Sequence, residues 1–218
     1  MSGGIRSAAR LAAVTAVAGG LAGFAMSSWV GAAPVGRMLP WILGRGLGIA
    51  SYLSLAALTA LGLWLRHPLA QRWRWPAPAT RIRLHAVLAA ATVVLVTGHV
   101  VALVLDSFAG VGVLGAVVPG ASGFRPFAVA LGTVSLYLAV LVGGSAALAG
   151  RLTGRFWRPI HGAASVVFAL AWTHGLLAGS DALRLRWMYA VTGGLVVLLA
   201  LTRRLVPTSA YVRESAAT

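Results

Sequence analysis

Long apolar blocks, separated by short segments carrying arginine, proline or glycine, run the length of this chain. A bilayer core about 30 Å thick is spanned by about 20 apolar helical residues, and six blocks reach that length. They predict helix A from Ala8 to Val30, B from Leu39 to Leu65 and C from Ile82 to Leu105. Helix D follows from Pro126 to Ala149, E from Ile160 to Gly179 and F from Leu185 to Leu205. The expected fold is all-α: a polytopic membrane protein built as a six-helix transmembrane bundle. With 59% hydrophobic and 10% charged residues and a mean hydropathy of +0.88, the composition excludes a soluble domain. One bundle accounts for the 218 residues, divided into an N-terminal helix with its outer loop (1–38), a core (39–205) and a short tail (206–218).

Charge adds orientation. The 18 basic residues are all arginine, and the only acids are Asp106, Asp181 and Glu214. A soluble protein with a net charge of +15 would suggest nucleic acid. Here the arginines border apolar blocks, where they signal topology and anchor lipid or cofactor, so nucleic acid is excluded as a partner and membrane lipid is the expected one. With the N-terminus inside, the inner segments hold Arg6, Arg10, Arg66, Arg72, Arg74, Arg81, Arg83, Arg151, Arg155, Arg158, Arg203, Arg204 and Arg213. Only Arg37, Arg45, Arg125, Arg184 and Arg186 then lie outside. The bias puts both termini in the cytoplasm of a plasma or inner membrane.

Arg6 and Arg10 ahead of helix A also fit a signal peptide, with Gly31-Ala32-Ala33-Pro34 as its cleavage region. An apolar run of about twenty residues is long for a signal core, so a retained helix is expected. The B–C connection reads as a basic, proline-broken inner loop anchored by Trp73 and Trp75. The C–D connection is glycine-rich yet apolar, and is expected to lie along the outer interface and roof the bundle.

Histidine is where the chemistry enters. Four of the five histidines lie in helices C and E: His85 and His99, fourteen residues apart, and His161 and His174, thirteen apart. At about 1.5 Å per residue each separation is roughly 20 Å, so each helix carries one histidine towards each membrane face. One span separates C from E, so they cross in the same direction. His85 therefore matches His161 in depth, and His99 matches His174. Ionisable groups at membrane depth are rare and functional by default, and two matched rows suggest two stacked b-type haems, each clamped between the helices. Histidine at both axial positions saturates the iron and suits electron transfer. The absence of cysteine excludes thioether attachment, disulfides and Cys-ligated iron–sulfur clusters. Gly98, Gly162 and Gly175 adjoin three of the ligands and are expected to let a flat macrocycle approach the backbone. A fourteen-residue step returns to within roughly 40° of one helix face, but a thirteen-residue step misses by roughly 140°. Either His174 approaches from another flank or helix E is locally distorted, and Pro159 does not obviously supply that distortion. His67 is read as a solvated residue of the inner loop.

The pattern resembles the ferric reductase-like transmembrane domain, shared by ferric reductases, the membrane part of NADPH oxidases and the haem subunit of the methionine sulfoxide reductase system. The residues that carry the resemblance are Trp41 and Gly44-Arg45-Gly46-Leu47-Gly48 in helix B and Leu84-His85 with Gly98-His99 in helix C. Trp157-Arg158-Pro159-Ile160-His161 and His174-Gly175 in helix E complete it, over about residues 40–205. It implies that His85, His99, His161 and His174 are the metal ligands of two haem b groups. Only some thirteen residues follow helix F, and no phosphate-binding loop follows a strand. The expectation is therefore a haem subunit, of uncertain enzymatic standing by itself, without a flavin and NAD(P)H domain of its own.

Haem propionates are anionic, and arginines near the ligands can pair with them. The candidates are Arg81, Arg83 and Arg158 at the inner level and Arg45 and Arg125 at the outer. Arg37, Arg184 and Arg186 are read as reaching lipid headgroups. The expected function is transmembrane electron transfer from a separate cytoplasmic flavoprotein or quinol to an outer acceptor, a ferric chelate or a partner reductase. FMN or a quinone stays open as a further cofactor. The rival is a haem-free transporter or assembly subunit using the histidines as a proton relay, against which stand the scarcity of membrane carboxylates and the lack of evident inverted repeats.

Overall fold

A computed structural model of the chain describes residues 35–72, 76–149 and 154–205. Helix A, Trp73, Trp75 and the tail beyond 205 lie outside the described residues. Those that are described form helices and connections, with no strand among them. We number the helices α1 (Val35–Leu65), α2 (Pro68–Arg72), α3 (Pro78–Leu105), α4 (Gly112–Val117) and α5 (Pro126–Ala147). They continue with α6 (Gly154–Gly162), α7 (Ala164–Ala178) and α8 (Arg186–Leu205). Five spans are long and apolar enough to cross a membrane: Met38–Leu65, Pro78–Leu105, Pro126–Ala147, Phe156–Ala178 and Arg186–Leu205. They correspond to the expected helices B to F. The sixth expected span, helix A, is the one outside the described residues.

The bundle is two helix hairpins and a closing helix. α1 packs along α3, α5 packs along α6 and α7, and α8 closes against α1. Lipid is as apolar as leucine, so helices in a membrane associate through close packing of small residues and through hydrogen bonds. Both are present. Gly44 lets Leu103 approach so closely that an added Cβ would meet its side chain at 2.9 Å. Ser54 bonds Thr92 across α1 and α3 at 2.8 Å, and Ser135 donates to the Val167 carbonyl across α5 and α7 at 2.9 Å. Trp172 Nε1 donates to the Tyr189 carbonyl at 3.0 Å, tying α7 to α8. Tyr52, Ala56, Leu63, Phe168, Tyr189 and Val196 form the buried cluster where α1, α7 and α8 meet.

The expected helix E is broken in two. Gly162 ends α6, and the Ala163 N–H bonds the Ile160 carbonyl, a three-residue step, before α7 begins. A 3₁₀ turn winds about 120° per residue against about 100° for an α-helix, so the break adds rotation in the direction the thirteen-residue spacing lacks. The local distortion is real, and it lies at Ala163 rather than at Pro159.

Two connections depart from simple loops. The segment after α3 is held by Asp106, whose carboxylate accepts from the Ala109 N–H at 2.7 Å, and it turns at Gly110 and Gly112, both at positive φ. Thr133 and Tyr137 on α5 donate to the carbonyls of Ala116 and Val117 at the end of α4. Those last-turn carbonyls lack helical partners and need such donors in an apolar setting. Because Thr133 lies seven residues into α5, α4 runs beside α5 roughly 10 Å from its start.

In the other connection, His67 corrects the expectation of a solvated residue, being only 1% exposed. Its Nδ1 accepts from the Leu69 N–H at 3.2 Å, its Nε2 bonds Thr202 of α8 at 3.2 Å, and its ring stacks on Trp64. The inner loop folds under α8, and a histidine with both nitrogens satisfied is the pin.

Candidate functional site

The four histidines of the matched rows project into the space between the two hairpins. α3 and α7 are not among the extensively packed pairs, which leaves that space open. The His85 and His161 rings face each other with centroids 6.1 Å apart and planes at 70°. His99 and His174 line one cavity of about 240 Å³, which neither His85 nor His161 lines. The pairing fits α3 and α6–α7 running in the same direction.

Three of the four rings sit against a glycine of the neighbouring helix of their own hairpin. His99 Nδ1 bonds the Gly44 carbonyl at 2.6 Å, and four residues on, an added Cβ at Gly48 would meet the His99 ring at 2.9 Å. His174 Nδ1 bonds the Ala128 carbonyl at 2.7 Å, and four residues on, a Cβ at Gly132 would meet the His174 ring at 2.7 Å. A Cβ at Gly62 would meet His85 at 3.0 Å. Gly48 and Gly62 are fourteen residues apart, the same step as His99 and His85. A neutral imidazole that donates from Nδ1 presents its Nε2 lone pair on the far side. His99 and His174 therefore offer Nε2 to whatever occupies the cavity.

These glycine seats are not the glycines singled out by adjacency. Gly98 faces Leu47, Gly175 faces the Tyr189 ring, and nothing lies within 4 Å of a Cβ at Gly162. The signal in the sequence for the seats at Gly48 and Gly62 is the fourteen-residue echo of the histidine spacing in the preceding helix.

The candidate arginines separate. Arg45 reaches the cavity wall, lies over the Trp41 ring and forms an ion pair with Asp181, whose part the sequence did not reveal. Arg125, at φ 40°, donates to the Leu177 carbonyl at 2.6 Å, tying the start of α5 to the end of α7. Arg81 is buried and donates to the Pro76 and Ala70 carbonyls at 2.6 and 2.7 Å. These bonds staple the connection between α1 and α3. Arg83 and Arg158 are exposed near His85 and His161. Arg66, counted before only as a topology signal, lies close enough for its charge to act on His161, and Trp157 stands edge-on to the same ring at 5.7 Å. The apolar C–D connection forms part of the cavity wall through Ala109, Val111 and Ala116.

Chemically, each level offers two imidazoles and little else. No cluster of three or more His, Cys, Asp or Glu side chains is present among the described residues. A bare zinc ion takes three or four protein ligands, which neither level supplies. No family model, curated protein or solved structure matches the chain.

Proposed function

We propose that this protein is a ferric reductase-like membrane cytochrome of b type that carries single electrons between the two faces of a membrane. The observation that carries this reading is the two-level arrangement: His85 against His161, and His99 with His174 around one cavity. The two imidazoles at each level would hold a haem, which would supply one-electron iron chemistry there. Nitrogen–metal bonds of about 2 Å to each imidazole set ring centroids roughly 6 Å apart, and the His85–His161 rings lie at 6.1 Å.

When bound, haem supplies a one-electron iron couple whose potential the protein tunes through its ligands, burial and neighbouring charge. The chain's residues do the holding and shielding. Gly48, Gly62 and Gly132 seat the imidazoles, and the Gly44 and Ala128 carbonyls fix which nitrogen faces the metal. α4 closes the outer cavity from the side. Arg66, Arg83 and Arg158 at one level and Arg45 at the other are placed to meet propionates. The arginine bias makes the His85/His161 level cytoplasmic, facing a flavoprotein or quinol donor, and the His99/His174 level external, facing a ferric chelate or partner reductase.

The test is a visible spectrum with a pyridine haemochrome assay on detergent-purified protein. Two b-type haems per chain are expected, and a folded sample without haem overturns the reading.

A further inference from the structure

The two imidazole pairs differ in what stands behind each ring. At the His99/His174 level both Nδ1 atoms bond helix carbonyls, at 2.6 and 2.7 Å. At the His85/His161 level both Nδ1 atoms are buried and make no hydrogen bond among the described residues. The Leu58 and Val142 carbonyls stand near these rings as weaker backbone acceptors than those of Gly44 and Ala128 at the other level. The charges differ as well. Arg66 lies close enough for its charge to act on His161, whereas Arg45, at the other level, forms an ion pair with Asp181.

Both differences act in one direction. An imidazole whose far N–H is held by an acceptor is a more basic ligand, and a more basic ligand favours the oxidised, more positive metal. An imidazole without that acceptor donates less, and a nearby cation penalises further positive charge on the metal. Resting on the two-haem reading above, we infer that the His99/His174 centre has the lower reduction potential and the His85/His161 centre the higher. The electron then rests at the His85/His161 level. Passing it on oxidises that iron from ferrous to ferric and reduces the His99/His174 iron from ferric to ferrous, with no proton or bond exchanged. That step is uphill at equilibrium. With the arginine-rich side negative, the membrane potential assists it, and the outer centre presents its acceptor with the stronger reductant.

Redox titration of the purified protein, followed by absorbance and by the low-spin electron paramagnetic resonance signals, tests the ordering. The wild type is expected to titrate in two resolved waves. His99→Leu and His174→Leu each leave a centre that titrates at the higher midpoint, and His85→Leu and His161→Leu each leave one at the lower. The reverse assignment, or a single wave in the wild type, overturns the ordering. Gly48→Ala and Gly132→Ala provide a second arm, since their Cβ atoms press on the hydrogen-bonded rings at 2.9 and 2.7 Å. They are expected to raise the lower midpoint and leave the upper one in place, while Gly46→Ala, with nothing within 4 Å of its Cβ, moves neither. A shift confined to the upper midpoint, or none in either glycine variant, overturns the part given to the carbonyls. A wild type without haem is a different result, and it overturns the electron-transfer reading itself.

Discussion

The two hairpins perform one task with different means. In α1–α3 both helices are unbroken, the histidines are fourteen residues apart, and the seats beneath them, Gly48 and Gly62, repeat at the same interval. In α5–α7 the second helix breaks at Ala163, the histidines are thirteen apart, and only Gly132 is a glycine seat. The position fourteen residues beyond Gly132 is Ala146. A helix pair in register can hold two rings along one face with straight rods. A pair one residue out of register needs a joint between the rings. Two geometries therefore converge on the same pair of depths.

The sharpest way to break that comparison is to delete the rings one at a time. His85→Leu and His161→Leu are expected to abolish the same low-spin haem signal, and His99→Leu and His174→Leu the other. A histidine roughly 20 Å along the axis cannot reach the other level. If His85→Leu and His174→Leu erase one signal together, the two hairpins are not parallel and the comparison fails.

A second experiment addresses the joint. One alanine inserted between Gly162 and Ala163 makes the spacing fourteen, but it also turns His161 by about 100° relative to His174. The expected outcome is loss of the His85/His161 centre with the other retained. Retention of both centres, read as haem per chain, would mean that the break is loose enough to absorb a residue.

Of smaller effect is the His67 pin beside the first hairpin. His67→Ala leaves a buried cavity and an unbonded Thr202 hydroxyl, and is expected to cost about 2 kcal/mol of unfolding free energy in mixed micelles. Thr202→Val removes one hydrogen bond and should cost about 1 kcal/mol. Equal, negligible effects in both variants would place the loop's anchorage elsewhere.

The smallest effect is expected at the Arg45–Asp181 pair, whose side chains are 39% and 23% exposed. With that much exposure the pair contributes about 0–1 kcal/mol to stability. Asp181→Asn is therefore expected to leave the unfolding midpoint within error. If Arg45 meets an anion in the cavity, the same substitution should leave haem retention intact while Arg45→Gln weakens it, and equal haem loss in both would assign the pair a purely structural part.

Axial and lateral relations differ in how far a sequence reports them. The presence of helices B to F was legible in the sequence because span length and hydropathy are properties of successive residues, summed along one axis. Depth was legible for the same reason: a count of residues times the helical rise placed His85 with His161 and His99 with His174. Lateral relations were not. Neighbours in sequence lie about 100° apart around a helix and face different partners, so the seats at Gly48, Gly62 and Gly132 lie on the neighbouring helix rather than beside the histidines. His67 looked like a solvated residue of a loop, because composition does not report that the loop folds back under α8.

What the sequence determined by itself, then, was the partition between apolar and polar surroundings and the axial position of each ionisable group, since both follow from transfer free energy and a fixed rise per residue. What only the tertiary structure decided was the angular part: which glycines seat the rings, which carbonyls hold their nitrogens, where α6 gives way to α7, and that Asp181 answers Arg45. Each of those depends on how two helices rotate and approach, and that is set by the packing of many side chains at once.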